Sequence, residues 1–117
     1  MGEKIKVVEL FRGTKGAIVR AATITSHAID LRNVKPDGNF ALHMINTGGT
    51  VTATLLVCST EKGTFIAPST AVTILSAKAA GSHYASFTPP VAAFIKILFT
   101  ETNVAAVTAM DAWLNYQ

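Results

Sequence analysis

The chain has 117 residues, a net charge of +3, 50% hydrophobic residues and only 15% charged ones. That length suits one domain rather than two, with a core that needs no metal or disulfide to hold it. The lone Cys58 excludes an internal disulfide, and no run reaches the ~20 apolar residues of a membrane-spanning helix.

The charged fraction falls well below the ~25% usual for soluble domains. Two readings account for it. One is a sandwich whose surface is mostly Thr, Ser and Ala. The other is a surface partly covered by a partner or by copies of the same chain. Charge is also uneven: residues 1–35 carry net +4 and the remainder net −1. The leading basic residues are spaced out rather than clustered, which fits a solvated edge as well as a docking segment. After Met1 the apolar stretch is broken by Lys6 and Glu9, so no secretory signal is expected. Lys6 stands where a myristoylation signal needs Ser or Thr. A soluble protein made in a cytoplasm is the expectation.

In chain order, Ile5 to Leu10 reads as a strand, and Phe11 to Gly16 as a glycine-flanked loop. Ala17 to Ala22 reads as a short edge strand and Thr23 to Leu31 as a further extended piece. Lys35-Pro36-Asp37-Gly38 is a turn, because proline presets φ and Asp-Gly caps and relaxes the backbone. Asn39 to Ile45 alternates Phe40, Leu42 and Met44 against Ala41, His43 and Ile45. Thr50 to Cys58 alternates Val51, Ala53, Leu55 and Val57 against threonines. Period-two patterning of this kind buries one face and wets the other. With Asn46 to Gly49 between them, the two segments are expected to form an antiparallel hairpin.

Ser59 to Gly63 reads as a second turn leading into Thr64-Phe65-Ile66. Val72 to Leu75 and His83 to Phe87 read as strands, with Gly81 a break between them. Thr88-Pro89-Pro90 is a loop or sheet edge, since proline donates no ladder hydrogen bond. Phe94 to Glu101 is a strong strand, and Val104 to Leu114 closes the chain with Val107, Ala109 and Trp113 on one face. Helical periodicity is nearly absent. About eight short strands, with turn signals roughly every ten residues, predict an all-β single-domain antiparallel sandwich of two sheets. Residues 1–16 are read as a basic N-terminal strand or arm with its loop, and 17–117 as the sandwich.

No catalytic constellation emerges. His27, His43 and His83 lack metal-ligand spacing, so no metal and no cofactor is expected. His43 reads as a sheet-surface residue. The serines sit outside any Gly-x-Ser-x-Gly elbow, and no two carboxylates share an apolar strand. Cys58 reads as a small packed hydrophobe without the surroundings that lower a thiol pKa. Gly13 to Gly16 lacks the spacing and following helix of a phosphate loop. Phe40, Phe65, Phe87, Phe94, Phe99 and Trp113 read as core; Phe11-Arg12 is the exposed-looking exception, so no nucleic-acid platform is expected.

A resemblance runs through Ile29-Asp30-Leu31, Asp37 to Leu42, Thr47 to Val51, Ser59 to Ile66, Ser86 to Pro89, Phe94 to Ile97, Thr100-Glu101 and Ala112 to Leu114. In these features, over about three quarters of its length, the chain resembles small virion structural proteins of tailed phages, some of which are β-sandwich head decoration, or cement, proteins. The resemblance implies a jelly-roll-like sandwich without enzyme activity. It implies a homotrimer that binds the major capsid protein on the outer surface of the expanded head, after assembly in the host cytoplasm. Lys4, Lys6, Phe11, Arg12, Lys15 and Arg20 are the candidate capsid-contact residues, chosen for charge and for the glycine-flanked loop they surround. The alternative is a carbohydrate-binding, tail or adhesion module, which requires exposed aromatics on one sheet or loop end.

Overall fold

Alternation along the strands resolves into two packed antiparallel sheets with their apolar faces together. The computed structural model describes residues 6–11, 18–19, 23–32, 40–90, 92–101, 107–108 and 110–116. The first sheet has the order β1 (Lys6–Phe11), β11 (Met110–Tyr116), β5 (Phe40–Asn46), β8 (Gly81–Phe87). The second has the order β3 (Thr23–Thr25), β9 (Phe94–Glu101), β6 (Val51–Cys58), β7 (Thr73–Lys78), with β4 (Ile29–Asp30) also paired to β9. β2 (Ile18–Val19) and β10 (Val107–Thr108) pair with each other. The lysine-proline turn at 35–38 and the loop at 13–16 lie outside the described residues.

The topology follows from one ribbon. Outermost strands pair with outermost: β1 with β11, β3 with β9, β5 with β8, and β6 with β7. Wrapping that two-stranded ribbon brings β11 against β5 and β9 against β6, which closes the two sheets. This is the double Greek key of a jelly roll.

The core lies between the sheets. Leu42, Met44, Ala112 and Leu114 come from the first, and Val51, Ala53, Ile95, Ile97 and Phe99 from the second, all fully buried. Each large apolar side chain so buried contributes roughly 1.5–3 kcal/mol. Phe40 extends this core at one end, stacked on Tyr116 at 5.5 Å and tilted against Phe87 at 5.7 Å.

The expected hairpin between β5 and β6 does not form. The two strands lie in different sheets, and residues 47–50 carry the chain across. Both strands do turn their predicted apolar faces to the core, but the pattern fixes a face and not a neighbour. What diverts the chain is a buried polar corner. Glu101, at the end of β9, is fully buried and accepts the Thr50 N–H through Oε1 at 2.9 Å. Gly49 sits at φ +70° against the Glu101 carboxyl, where an added Cβ would overlap it. Asn46 donates its amide to the Gly48 and Lys78 carbonyls at 3.4 and 3.3 Å, tying in the β7 end.

The extended piece read from Thr23 to Leu31 forms two short strands. Ser26, 2% exposed, replaces a ladder pair between β3 and β4: its hydroxyl accepts the Ile97 N–H at 2.9 Å and donates to the His27 carbonyl at 3.0 Å. Two short strands therefore share the β9 edge.

The corner makes a test. Glu101→Ala leaves the half-buried Thr50 N–H without its acceptor and is expected to lower the unfolding free energy by roughly 2–3 kcal/mol. Gly49→Ala is expected to cost about 1–3 kcal/mol through the positive φ and the collision with Glu101. Urea midpoints at unchanged slope check both; a midpoint unmoved in either variant would show that the corner does not hold the crossing.

Candidate functional site

Four strands of the first sheet present an outer face whose rows are set by register. Glu9 of β1 lies opposite Trp113 of β11, Trp113 opposite His43 of β5, and His43 opposite Tyr84 of β8. On one side of this row stand Asn115, Ala41 and Ser86, and on the other Asp111, Ile45 and Ser82. The outward row exists because β11 starts at Met110 and turns Met110, Ala112 and Leu114 inward. Trp113 therefore falls on the outer face, not in the core as its sequence neighbours suggested. The residues Val107 and Thr108 that set the expected parity belong to a separate strand paired with β2.

The rings form a stack. His43 and Trp113 have centroids 5.0 Å apart at 34°, and His43 and Tyr84 5.5 Å apart at 47°. Both contacts are tilted, so each ring is inclined to its neighbour rather than laid flat on it. His43 Nε2 shares a hydrogen bond with Ser82 Oγ at 3.1 Å, which fixes the imidazole in the middle. Tyr84, at the sheet margin, is 62% exposed. The arrangement offers ring edges, hydroxyls and the flanking carboxyls of Glu9 and Asp111. It suits recognition of a surface or a polyol.

Two of the six capsid-contact candidates, Lys6 and Phe11, are among the described residues. Lys6 is exposed on β1, which is paired to β11 as the sheet's edge strand. Phe11 is not exposed: a register shift after Glu9 turns it inward, edge-on to Phe99 at 5.8 Å and 76°. Lys4, Arg12, Lys15 and Arg20 lie outside the described residues.

The outer face of the second sheet differs in kind. Its aromatics are capped by cations, Arg32 lying 5.0 Å from the Phe94 centroid and Lys96 Nζ 4.5 Å from that of Phe65. Phe94 is thus buried outside the main core, and Phe65, read as core, is only partly buried. Arg32 also grips Asp30 at 2.8 Å, and its hydrogen bonds hold the Asp30 carboxyl down at about 2.

Cys58 ends β6 beside an open groove of about 330 Å³ lined by Val57, Ser59, Thr64, Ile66 and Ala92. It is partly exposed, not packed inside. The Thr60 backbone N–H holds its thiol below the usual 9.0 against an opposing burial penalty that is second in size; the Thr60 hydroxyl, 3.7 Å away, the Ser59 N–H and the Lys96 charge add to the lowering. The sequence reading missed this environment because the 59–63 turn creates it. Gly63 packs where a Cβ would strike both Thr60 and Cys58. Among the described residues, no group of three or more His, Cys, Asp or Glu is placed to hold a metal ion.

No protein-family model and no curated protein matches the chain. Solved structures do. A chain in the structure of infectious bursal disease virus, Gx strain, aligns over 97% of this chain at a TM-score of 0.62 and 8% identity, and its Gt-strain counterpart at 0.59 and 8% over the same share. The enzymatically active domain of tailspike protein 4 from bacteriophage CBA120 aligns over 94% at 0.51 and 14% identity. The likeness is one of fold. This chain spans 31% of the length of each bursal disease virus chain and 17% of the tailspike chain.

The thiol environment can be tested. Alkylation of native Cys58 is expected to show a pH midpoint below 9.0, and Thr60→Ala to move it upward without restoring it fully, because the backbone donors remain. A native midpoint at or above 9.0 would contradict the hydrogen-bonded thiolate.

Proposed function

We propose that this protein is a non-enzymatic virion structural protein, specifically a decoration protein that binds the major capsid protein on the outside of an expanded phage head. The observation that carries the reading is the outer face of the first sheet: a rigid jelly-roll platform with an aromatic, uncharged centre at Trp113, His43 and Tyr84. The residues that resemble small phage virion proteins support it. So does a fold held in common with a chain of a virus structure and with a phage tailspike domain. A cement protein needs stiffness and contact surface rather than catalytic groups. Several modest contacts made by neighbouring copies on a lattice add up to tight binding. Lys6, exposed on the β1 edge opposite Tyr116, supplies a cation at that sheet margin for an acidic patch on the shell.

A second reading has its own observation. A tail or adhesion module that binds glycans expects exposed aromatics on one sheet, flanked by hydrogen-bonding groups, and the Trp113 row with Glu9 and Asp111 meets that description.

Purified particles are expected to contain the protein, and the isolated chain to co-sediment with expanded heads. Trp113→Ala is expected to weaken that binding tenfold or more, as loss of a central tryptophan does at interfaces, and Lys6→Glu to weaken it severalfold with a steeper effect at low salt. Deleting residues 1–16 is the poorer experiment, because it also removes β1 from its sheet. Absence from particles would sink the decoration reading. Glycan binding lost in Trp113→Ala, with no head binding by the wild type, would establish the second reading in its place.

A further inference from the structure

The four sheet margins are unequal. β1 carries Lys6 and Glu9 and breaks register between Glu9 and Phe11. β7 breaks register twice on β6, ends in Lys78 and holds Ala77 at φ 48°, pinned by its N–H to Thr52 Oγ1 at 2.9 Å. The β3 and β4 margin is cut into two short pieces at Ser26. Bulges, charges and short strands are how native sheets keep their edges from pairing with another chain.

β8 has none of these devices. It runs seven residues, Gly81–Phe87, in unbroken register with β5 and without a charged residue or a proline. No strand among the described residues pairs with its other side. Alternate residues there turn N–H and C=O groups outward, enough for roughly six hydrogen bonds to another antiparallel strand. Pro89 and Pro90 follow at once and confine any such pairing to β8 itself.

We propose that β8 is a self-association edge: two copies pair their β8 strands antiparallel about a twofold axis at Tyr84, joining two first sheets into one continuous sheet. The occupant is set by the strand's self-complementarity. In the register centred on Tyr84, Gly81 faces Phe87 of the second copy, Ser82 faces Ser86, and His83 faces Ala85. Phe87 covers the bare backbone of a glycine, as aromatics do for edge glycines, and His83 meets a small residue. No like charges meet, because the strand has none. The centre brings the two Tyr84 rings together, so the stack of Trp113, His43 and Tyr84 in one copy continues into the stack of the other. That covers the 62% exposed Tyr84, the end member of the row. Such an interface is isologous and closes after two copies. It therefore gives a dimer, in place of the homotrimer that the phage resemblance implies, and leaves both β1 edges and both outer faces open.

Light scattering after size exclusion, from low to high micromolar concentration, is expected to give twice the monomer mass. Ser82→Lys with Ser86→Lys, which sets lysine against lysine across the axis, is expected to return the chain to monomer while circular dichroism stays all-β. In a Cys58→Ser background oxidised with diamide, Tyr84→Cys is expected to cross-link to itself. Ser82→Cys and Ser86→Cys are expected to stay uncross-linked alone and to cross-link when mixed. A wild-type monomer or trimer throughout the range overturns the proposal even if every variant misfolds. Equal self-cross-linking of Tyr84→Cys and Ser82→Cys overturns the register. The reading stands apart from capsid decoration: a dimer that ignores heads removes only that function, and a monomer that binds them removes only this edge.

Discussion

Everything about this chain's shape turns on how it passes between its two sheets, and the corner at residues 46–50 is held by a carboxyl group that water does not reach. Glu101 belongs to β9, in the middle of the second sheet, yet its Oε1 takes the N–H of Thr50, half the chain away in sequence. Asn46 binds the far side of the same turn to the Lys78 carbonyl. The start of β6, the end of β7 and the end of β9 are thereby fixed in one place. Without that grip a five-residue polar turn between two alternating strands would fold more simply as a hairpin, and both sheets would lose their order. A buried polar cluster costs desolvation, which its hydrogen bonds offset only in part here, since the buried Asn46 Oδ1 has no hydrogen-bond partner among the described residues; what it gives in return is a choice between two topologies with equal hydrophobic patterns.

That same equality explains which parts of the fold were legible. The inward faces of β5, β6 and β9 follow directly from Phe40, Leu42 and Met44, from Val51, Ala53 and Leu55, and from Ile95, Ile97 and Phe99. A period of two carries that information in a few residues. Pairing is another matter: β1 with β11 and β3 with β9 join segments from opposite ends of the chain, and no local signal encodes them. Glu101 was legible only as the polar end of an apolar strand. Ser26 gave no hint that its hydroxyl stands in for a ladder partner.

The outer face shows the same division. His43 was readable as a surface residue, since its neighbours Phe40, Leu42 and Met44 claim the other side. Trp113 was not, because apparent alternation from Val107 onward crosses a break between two separate strands. Tyr84 drew no notice, being one uncharged residue in a short polar strand. The row exists only after β11, β5 and β8 come together in register. Cys58 is similar: its lowered pKa arises from the N–H groups of a turn, and turn residues in a sequence do not say which side chain their donors will face.

Two of the described cations do more than face water. On the second sheet they act as lids: Arg32 over Phe94 and Lys96 over Phe65, each stem covering apolar surface while the head stays in water. On the first sheet Glu9 stands at the β1 end of the aromatic row and Asp111 on the neighbouring row, and the rings are in contact with one another. A cation laid on an aromatic face competes with any partner for that face, whereas a stack bordered by carboxyls leaves its edges open. The two outer faces therefore have different work. On the second, described cations lie over aromatic rings, and on the first the rings lie against one another.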